Sequence, residues 1–215
     1  MNRGRAFHGL TSAVAAGAVI AQLVLVILGH QHLADSLPTV DAGPSLAVRM
    51  VRFWSFLTIW FNVLVAVTCG ALAIDPARDG RGRRALRLDG LVIAVGGGVV
   101  HWFLLRPILH LQGVDLLVDR LLHIVVPALA LIGWVAFGPR GRVEFRDVIN
   151  FLVVPVTWLI GTLIRGAITG WYPYPFLDVG KHGYATVATT ATVIAMLMFG
   201  LAMGAMWLDR RLSAV

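Results

Sequence analysis

Residues 50–74 read MVRFWSFLTIWFNVLVAVTCGALAI, with Arg52 as the one charge, and they stop at the charged run DPARDGRGRR of residues 75–84. About 20 apolar residues in helical rise cover roughly 30 Å of hydrocarbon, so the stretch reads as a membrane-crossing helix. The same layout recurs along the chain. A window of about 19 residues places candidate spans near Gly9–Gly29, Met50–Ile74, Leu88–His110, Leu116–Phe137, Val148–Thr169 and Tyr184–Leu208. Charges gather at residues 1–5, 75–89, 140–147 and 209–211. Residues 1–215 are therefore expected to form a single all-α domain: a polytopic membrane protein with six transmembrane helices in one bundle.

Composition agrees. Charged residues are 13% and hydrophobic ones 58%, with a mean hydropathy of +0.81, which is too little polarity for a water-facing surface. The formal charge of +7 lies in short segments between spans rather than on one amphipathic face, so it marks topology and excludes a nucleic-acid partner. The single cysteine, Cys69, falls in an apolar run and can build neither an intramolecular disulfide nor a cysteine metal cluster. The first span follows Arg3 and Arg5 but is too long for a signal peptide's apolar core and has no small-residue cleavage site after it, so it is expected to be retained.

Arg3, Arg5, Arg78, Arg81, Arg83, Arg84, Arg87, Arg140, Arg142, Arg146, Arg210 and Arg211 all fall on one side if six spans alternate, which predicts cytoplasmic termini. The opposite side carries the Pro- and Asp-containing first loop and Trp171-Tyr172-Pro173-Tyr174-Pro175-Phe176, read as an aromatic belt at the outer interface. Arg outnumbers Lys 17 to 1, a bias that fits a high-GC bacterial genome and hence a bacterial inner membrane. Gly96-Gly97-Gly98, Gly166 with Gly170, and Gly200 with Gly204 offer faces for close helix approach, expected within the monomer rather than at a dimer seam.

Ionisable groups within spans are costly, and each is a functional candidate. Ser55, Thr58 and Asn62 fall at i, i+3 and i+7 of the second span, and Asp115, Asp119 and His123 at i, i+4 and i+8 of the fourth. At about 1.5 Å per residue, Thr58 lies roughly 9 Å below the helix end near Arg52, and His123 roughly 12 Å below Asp115. His101, Arg106, His110 and Arg165 add polar groups to the same outer half, whereas the cytoplasmic halves look almost purely apolar. This asymmetry predicts an outward-opening cavity lined by Thr58, Asn62, His101, His123 and Arg165, with Phe61, Trp102 and Trp158 as apolar walls.

Each residue also has a plainer role. A membrane threonine bonds back to its own helix, a histidine joins two helices, and Arg106, Arg120 and Arg165 snorkel to headgroups. His30, His32 and His182 sit in loops and titrate near neutral pH without implying catalysis. There is no Gly-x-Ser-x-Gly elbow, His-Glu-x-x-His helix or phosphate loop. No metal or other cofactor is expected, because no span pairs histidines at i, i+4.

The segments Phe56-Leu57-Thr58-Ile59-Trp60-Phe61-Asn62-Val63-Leu64-Val65, Leu121-Leu122-His123-Ile124-Val125-Val126-Pro127, Arg165-Gly166-Ala167 and Thr169 to Phe176 resemble the signature segments of the androgen-induced-gene and androgen-dependent TFPI-regulating protein family. They are most similar to those of its prokaryotic six-helix relatives. The resemblance implies an integral membrane hydrolase of fatty acid esters of hydroxy fatty acids, with Thr58 as nucleophile and His123 as base. The substrate would be a lipid or fatty acyl ester in contact with membrane lipids. Independently of the resemblance, a neutral imidazole can activate a threonine hydroxyl near pH 7, Asp119 can orient the imidazole, Asn62 or Ser55 can donate to an oxyanion, and Arg106 or Arg165 can pair with a lipid carboxylate. Two other functions fit the residues: a membrane cytochrome with His101 and His123 as haem ligands, and a non-enzymatic lipid binder or transporter.

Overall fold

The structure is a computed structural model that describes residues 3–30, 43–77 and 79–213. His32, Arg78 and most of the Pro- and Asp-containing first loop lie outside the described residues. Every regular element among the described residues is helical: α1 (Arg3–Ile27), α2 (Leu46–Phe53), α3 (Leu57–Ile74), α4 (Arg81–Val100), α5 (Gly113–Arg120), α6 (Val126–Phe137), α7 (Phe145–Phe151), α8 (Val153–Thr169) and α9 (Val179–Ser213), with short π and 3-10 turns between some of them. Among the described residues six continuous stretches are long and apolar enough to cross a membrane. The fold is an all-α bundle of six candidate spans.

Several spans are interrupted, and three of the interruptions have an identifiable cause. The expected single span Met50–Ile74 breaks at residues 54–56, giving the short α2 and a new start for α3. Two indole groups cover carbonyls exposed by this break: Trp60 Nε1 donates to the Trp54 carbonyl at 2.8 Å and Trp158 Nε1 to the Ser55 carbonyl at 3.0 Å. Hydrocarbon offers no water to satisfy such groups, so side chains must. In the fourth span Pro127 has no N–H for the His123 carbonyl, and the helix widens into a π turn over Leu121–Val125. In the fifth, Pro155 likewise cannot serve the Phe151 carbonyl, and the helix steps at Leu152.

The third span carries a second π turn, His101–Leu105, followed by a 3-10 turn at Arg106–Ile108 that contains Pro107. This span runs through the middle of the bundle, where α4 packs on α3, α6, α7 and α9. The glycine run makes that packing close. A Cβ at Gly97 would sit 3.1 Å from the Phe61 ring and one at Gly98 2.8 Å from the His123 carbonyl oxygen, while Gly96 faces Met198. These glycines pack within the monomer, as does Gly166 against the Tyr172 ring. Gly200 and Gly204 instead face open space, contrary to the expectation of internal packing.

At the end of the bundle that holds both described termini, Arg5 donates to the carbonyls of Ala73 and Ile74, placing a cation on the last turn of α3. Arg84 joins Asp79 to Glu144, and its hydrogen bonds hold the Asp79 carboxyl down at about 2. Asp209 accepts from the backbone N–H groups of Arg142 and Val143 at 2.8 and 2.9 Å. That end is less apolar than expected: Asp89 is 1% exposed and its Oδ1 has no hydrogen-bond partner among the described residues, and His8 is buried near Cys69, Arg87 and Trp134 around a small void. These groups stand at the charged edges of the apolar runs, where hydropathy alone does not separate a buried polar side chain from a solvated one.

Candidate active site

Thr58 is the second residue of α3, not a mid-helix residue as the unbroken span implied. Ser55 lies in the break, so Ser55, Thr58 and Asn62 do not form one continuous helical stripe. The Thr58 Oγ1 is 3.1 Å from His123 Nε2 and 3.3 Å from the Tyr174 hydroxyl, and the Thr58 N–H donates to that hydroxyl at 3.4 Å. Thr11, Thr68, Thr169, Thr189 and Thr192 all turn their hydroxyls back to the carbonyl four residues earlier. Thr58 does not. The carbonyl it would use, that of Trp54, is occupied by the Trp60 indole.

His123 Nδ1 lies 3.1 Å from the Asp119 carbonyl oxygen and 3.1 Å from Asp119 Oδ1. A carbonyl only accepts, so Nδ1 carries the proton and Nε2 presents its lone pair to the Thr58 hydroxyl. Asp119 and His123 are one helical turn apart, the spacing at which side chains on one helix meet. The hydroxyl of Thr58 therefore donates to His123 and accepts from Tyr174. Burial pushes the Tyr174 phenol up from its ordinary value, which keeps it a neutral donor.

His101 stacks on His123, with ring centroids 3.7 Å apart and planes 9° apart, and its Nε2 is 3.2 Å from Asp119 Oδ2. That approach is too oblique for a good hydrogen bond, and His101 Nδ1 has no partner among the described residues. Donor atoms of His101, Asp119 and His123 lie within 4.8 Å of one another, a grouping the sequence did not reveal. Parallel stacked rings aim their in-plane lone pairs side by side rather than at a common point, so this set would hold a divalent cation only after one ring turned. The same stacking leaves no gap for a porphyrin between the two imidazoles as they are placed.

The other candidates are placed differently. Asn62, 0% exposed, donates from Nδ2 to the Thr58 carbonyl at 2.8 Å and toward the Leu122 carbonyl at 3.4 Å. It braces α3 against the fourth span and is not aimed at the Thr58 hydroxyl. Ser55 donates to the Val51 carbonyl and receives a hydrogen bond from Arg165, whose guanidinium also lies over the Trp171 ring at 4.9 Å. Neither Ser55 nor Asn62 is therefore positioned as an oxyanion donor. Arg106 donates to the Leu109 carbonyl at 3.0 Å and lines neither cavity at the site. Trp102 is 55% exposed and is no wall of the site.

Two cavities meet at Thr58. One of about 120 Å³ is reached past Arg49, Arg52 and the His30–Asp115 ion pair of 2.9 Å. The other, of about 140 Å³, is lined by apolar side chains that include Phe61 and Trp158. Thr58, His101, Leu105, His123 and Tyr174 border both. From the sequence Arg52 reads only as the end of its span and Arg49 has no role, because the break that folds α2 over the site has no sequence marker as strong as a proline. Tyr174 was missed because its loop was read as an interfacial belt. In the structure Gly170 takes a left-handed turn (φ 68°) that ends α8, and the chain dips inward until Tyr174 is 8% exposed and stacked on Phe176. Compared with protein-family models, with characterised proteins and with solved structures, this chain matches none.

Proposed function

We propose that this protein is an intramembrane lipid ester hydrolase that works through an acyl-threonine intermediate. The observation that carries the reading is the relay Thr58 Oγ1, His123 Nε2, His123 Nδ1 and Asp119, with each contact at 3.1 Å. Thr58 Oγ attacks the ester carbonyl carbon while its proton passes to His123 Nε2. The oxyanion forms beside the Tyr174 hydroxyl and the Thr58 N–H. Collapse breaks the bond to the alcohol oxygen, which takes the proton from His123. Water then attacks the acyl-threonine, gives its proton to His123, and the acid leaves as Thr58 recovers its hydrogen.

The resemblance to androgen-induced-gene hydrolases supports the same pairing of Thr58 with His123. The arginine distribution supports a bacterial inner membrane with cytoplasmic termini, and it turns the site, which lies at the opposite end of the bundle, toward the outer leaflet. The test is hydrolysis of p-nitrophenyl acyl esters by pure protein in detergent, followed by mass spectrometry of the peptide containing Thr58 after a rapid quench. An acyl adduct on Thr58 and loss of turnover in Thr58→Ala are expected. Undiminished turnover in Thr58→Ala refutes the assignment, and bound lipid with no turnover of any ester favours a lipid-binding protein.

A further inference from the structure

The two cavities at Thr58 differ in chemistry. The first is bordered by Arg49, Arg52, His30, Asp115 and Asp119. Among the described residues the second has no charged side chain in its lining, and beyond the residues it shares with the first it is walled almost entirely by hydrocarbon and aromatic groups. A substrate whose carbonyl sits at Thr58 must send one half into each. The charged cavity suits the leaving alcohol and admits the water needed for deacylation, whereas the apolar one suits a hydrocarbon tail.

The apolar chamber runs along the bundle. His101 and Ile93 both border it, eight residues apart on the third span, which at about 1.5 Å per residue is roughly 12 Å of depth. Ile93, Phe151 and Met198 lie farthest from Thr58 along their respective spans, so they form its floor. On α9 the small residues Ala191 and Ala195 border it, and α8 and α9 make little direct contact with each other. An extended alkyl chain with bonds of about 1.5 Å advances about 1.25 Å per carbon, so the depth corresponds to about ten carbons. An apolar cavity of this kind stays dry and favours an apolar occupant.

We propose that the chamber between α4, α8 and α9 is an acyl-chain ruler. It receives the acyl half of the ester, selects chains of about ten carbons, and is bounded by Ile93, Phe151 and Met198. The inference rests on the hydrolase reading and deepens it by naming which half of the substrate goes where. Ala195 stands about one helical turn above Met198, so a large side chain at Ala195 shortens the usable depth by roughly 5 Å, or about four carbons. Met198→Ala lowers the floor and admits a chain about two to three carbons longer.

The experiment uses the full chain in detergent. Turnover is measured on p-nitrophenyl esters of about six to sixteen carbons, and binding of the matching n-alkyl carboxylic acids is read by displacement of a fluorescent fatty acid. Wild type, Thr58→Ala, Ala195→Phe and Met198→Ala are compared, and thermal unfolding verifies that each variant is folded. The expected result is a wild-type optimum near ten carbons in both series, moved shorter by Ala195→Phe and longer by Met198→Ala, with at least a tenfold change in relative kcat/KM between short and long esters. Thr58-dependent turnover with an optimum that Ala195→Phe leaves unmoved overturns the ruler and leaves the hydrolase reading standing. Absent turnover with a binding cutoff that Ala195→Phe shortens overturns the hydrolase reading and retains the acyl site. Absence of any cutoff in binding overturns the ruler outright.

Discussion

Replacing Gly98 by alanine places a methyl group 2.8 Å from the His123 carbonyl oxygen. The neighbour is backbone and cannot swing away. An ordinary C···O contact is about 3.3 to 3.6 Å, so α4 and the π turn must separate by roughly 0.5 to 0.8 Å. Overpacking of this kind costs about 1 to 3 kcal/mol, partly offset by the gain of up to about 1 kcal/mol from exchanging glycine for alanine in a helix. The net expectation is a loss of about 0 to 2 kcal/mol in stability. The effect on chemistry is larger. Gly98 is three residues from His101 and presses on the residue that bears the proposed base. A misplacement of about 1 Å can lower turnover by about a hundredfold, so a shift near half that size should lower kcat by about tenfold. The assay is kcat on an acyl ester together with thermal unfolding in detergent, and Gly200→Ala serves as the control because nothing lies within 4 Å of its Cβ position. If Gly98→Ala matches Gly200→Ala in both measurements, the close approach of α4 to the π turn is refuted, and with it the account of how His123 is positioned.

Tyr174→Phe keeps the ring but removes the proposed oxyanion donor, so kcat should fall by about 10² to 10³ while the protein stays folded by circular dichroism; a smaller fall than threefold refutes the role. Because burial raises the Tyr174 phenol, the folded state favours its neutral form; that stability is present below about pH 10 and is lost as pH rises through the folded value, so thermal scans should show less alkaline destabilisation in Tyr174→Phe than in wild type. Thr58→Ala, His123→Ala and the double variant should lose nearly the same activity, since the pair acts as one unit; additive losses in kcat would separate them. Asn62→Ala leaves the Thr58 carbonyl short of its side-chain donor and should lower stability by about 1 to 3 kcal/mol in denaturant or thermal unfolding. Single cysteines placed at Gly82 and Lys181 in a Cys69→Ser background should label from opposite faces of the membrane, and labelling of Gly82→Cys from outside would invert the topology.

The six spans were legible in the sequence because hydrocarbon imposes a length and forbids charge, and both constraints are local. Thr58, His101, Asp119 and His123 were also legible as candidates, since each is a polar group where lipid would penalise it. Their meeting was not legible. Helical periodicity assumes an unbroken helix, yet residues 54–56 unwind, and one of the two indoles that cover the exposed carbonyls, that of Trp158, arrives only once α8 has packed. Pro127 was visible, but that the carbonyl it leaves free, that of His123, lies against Gly98 of another span is a tertiary fact. Tyr174 was visible as an aromatic in a loop; only the packing of that loop onto Phe56 and Trp158 carries its hydroxyl to Thr58. Local hydropathy thus determines which segments cross the membrane, while the positions of side chains within the site depend on contacts between residues as much as 116 positions apart, which no local rule contains.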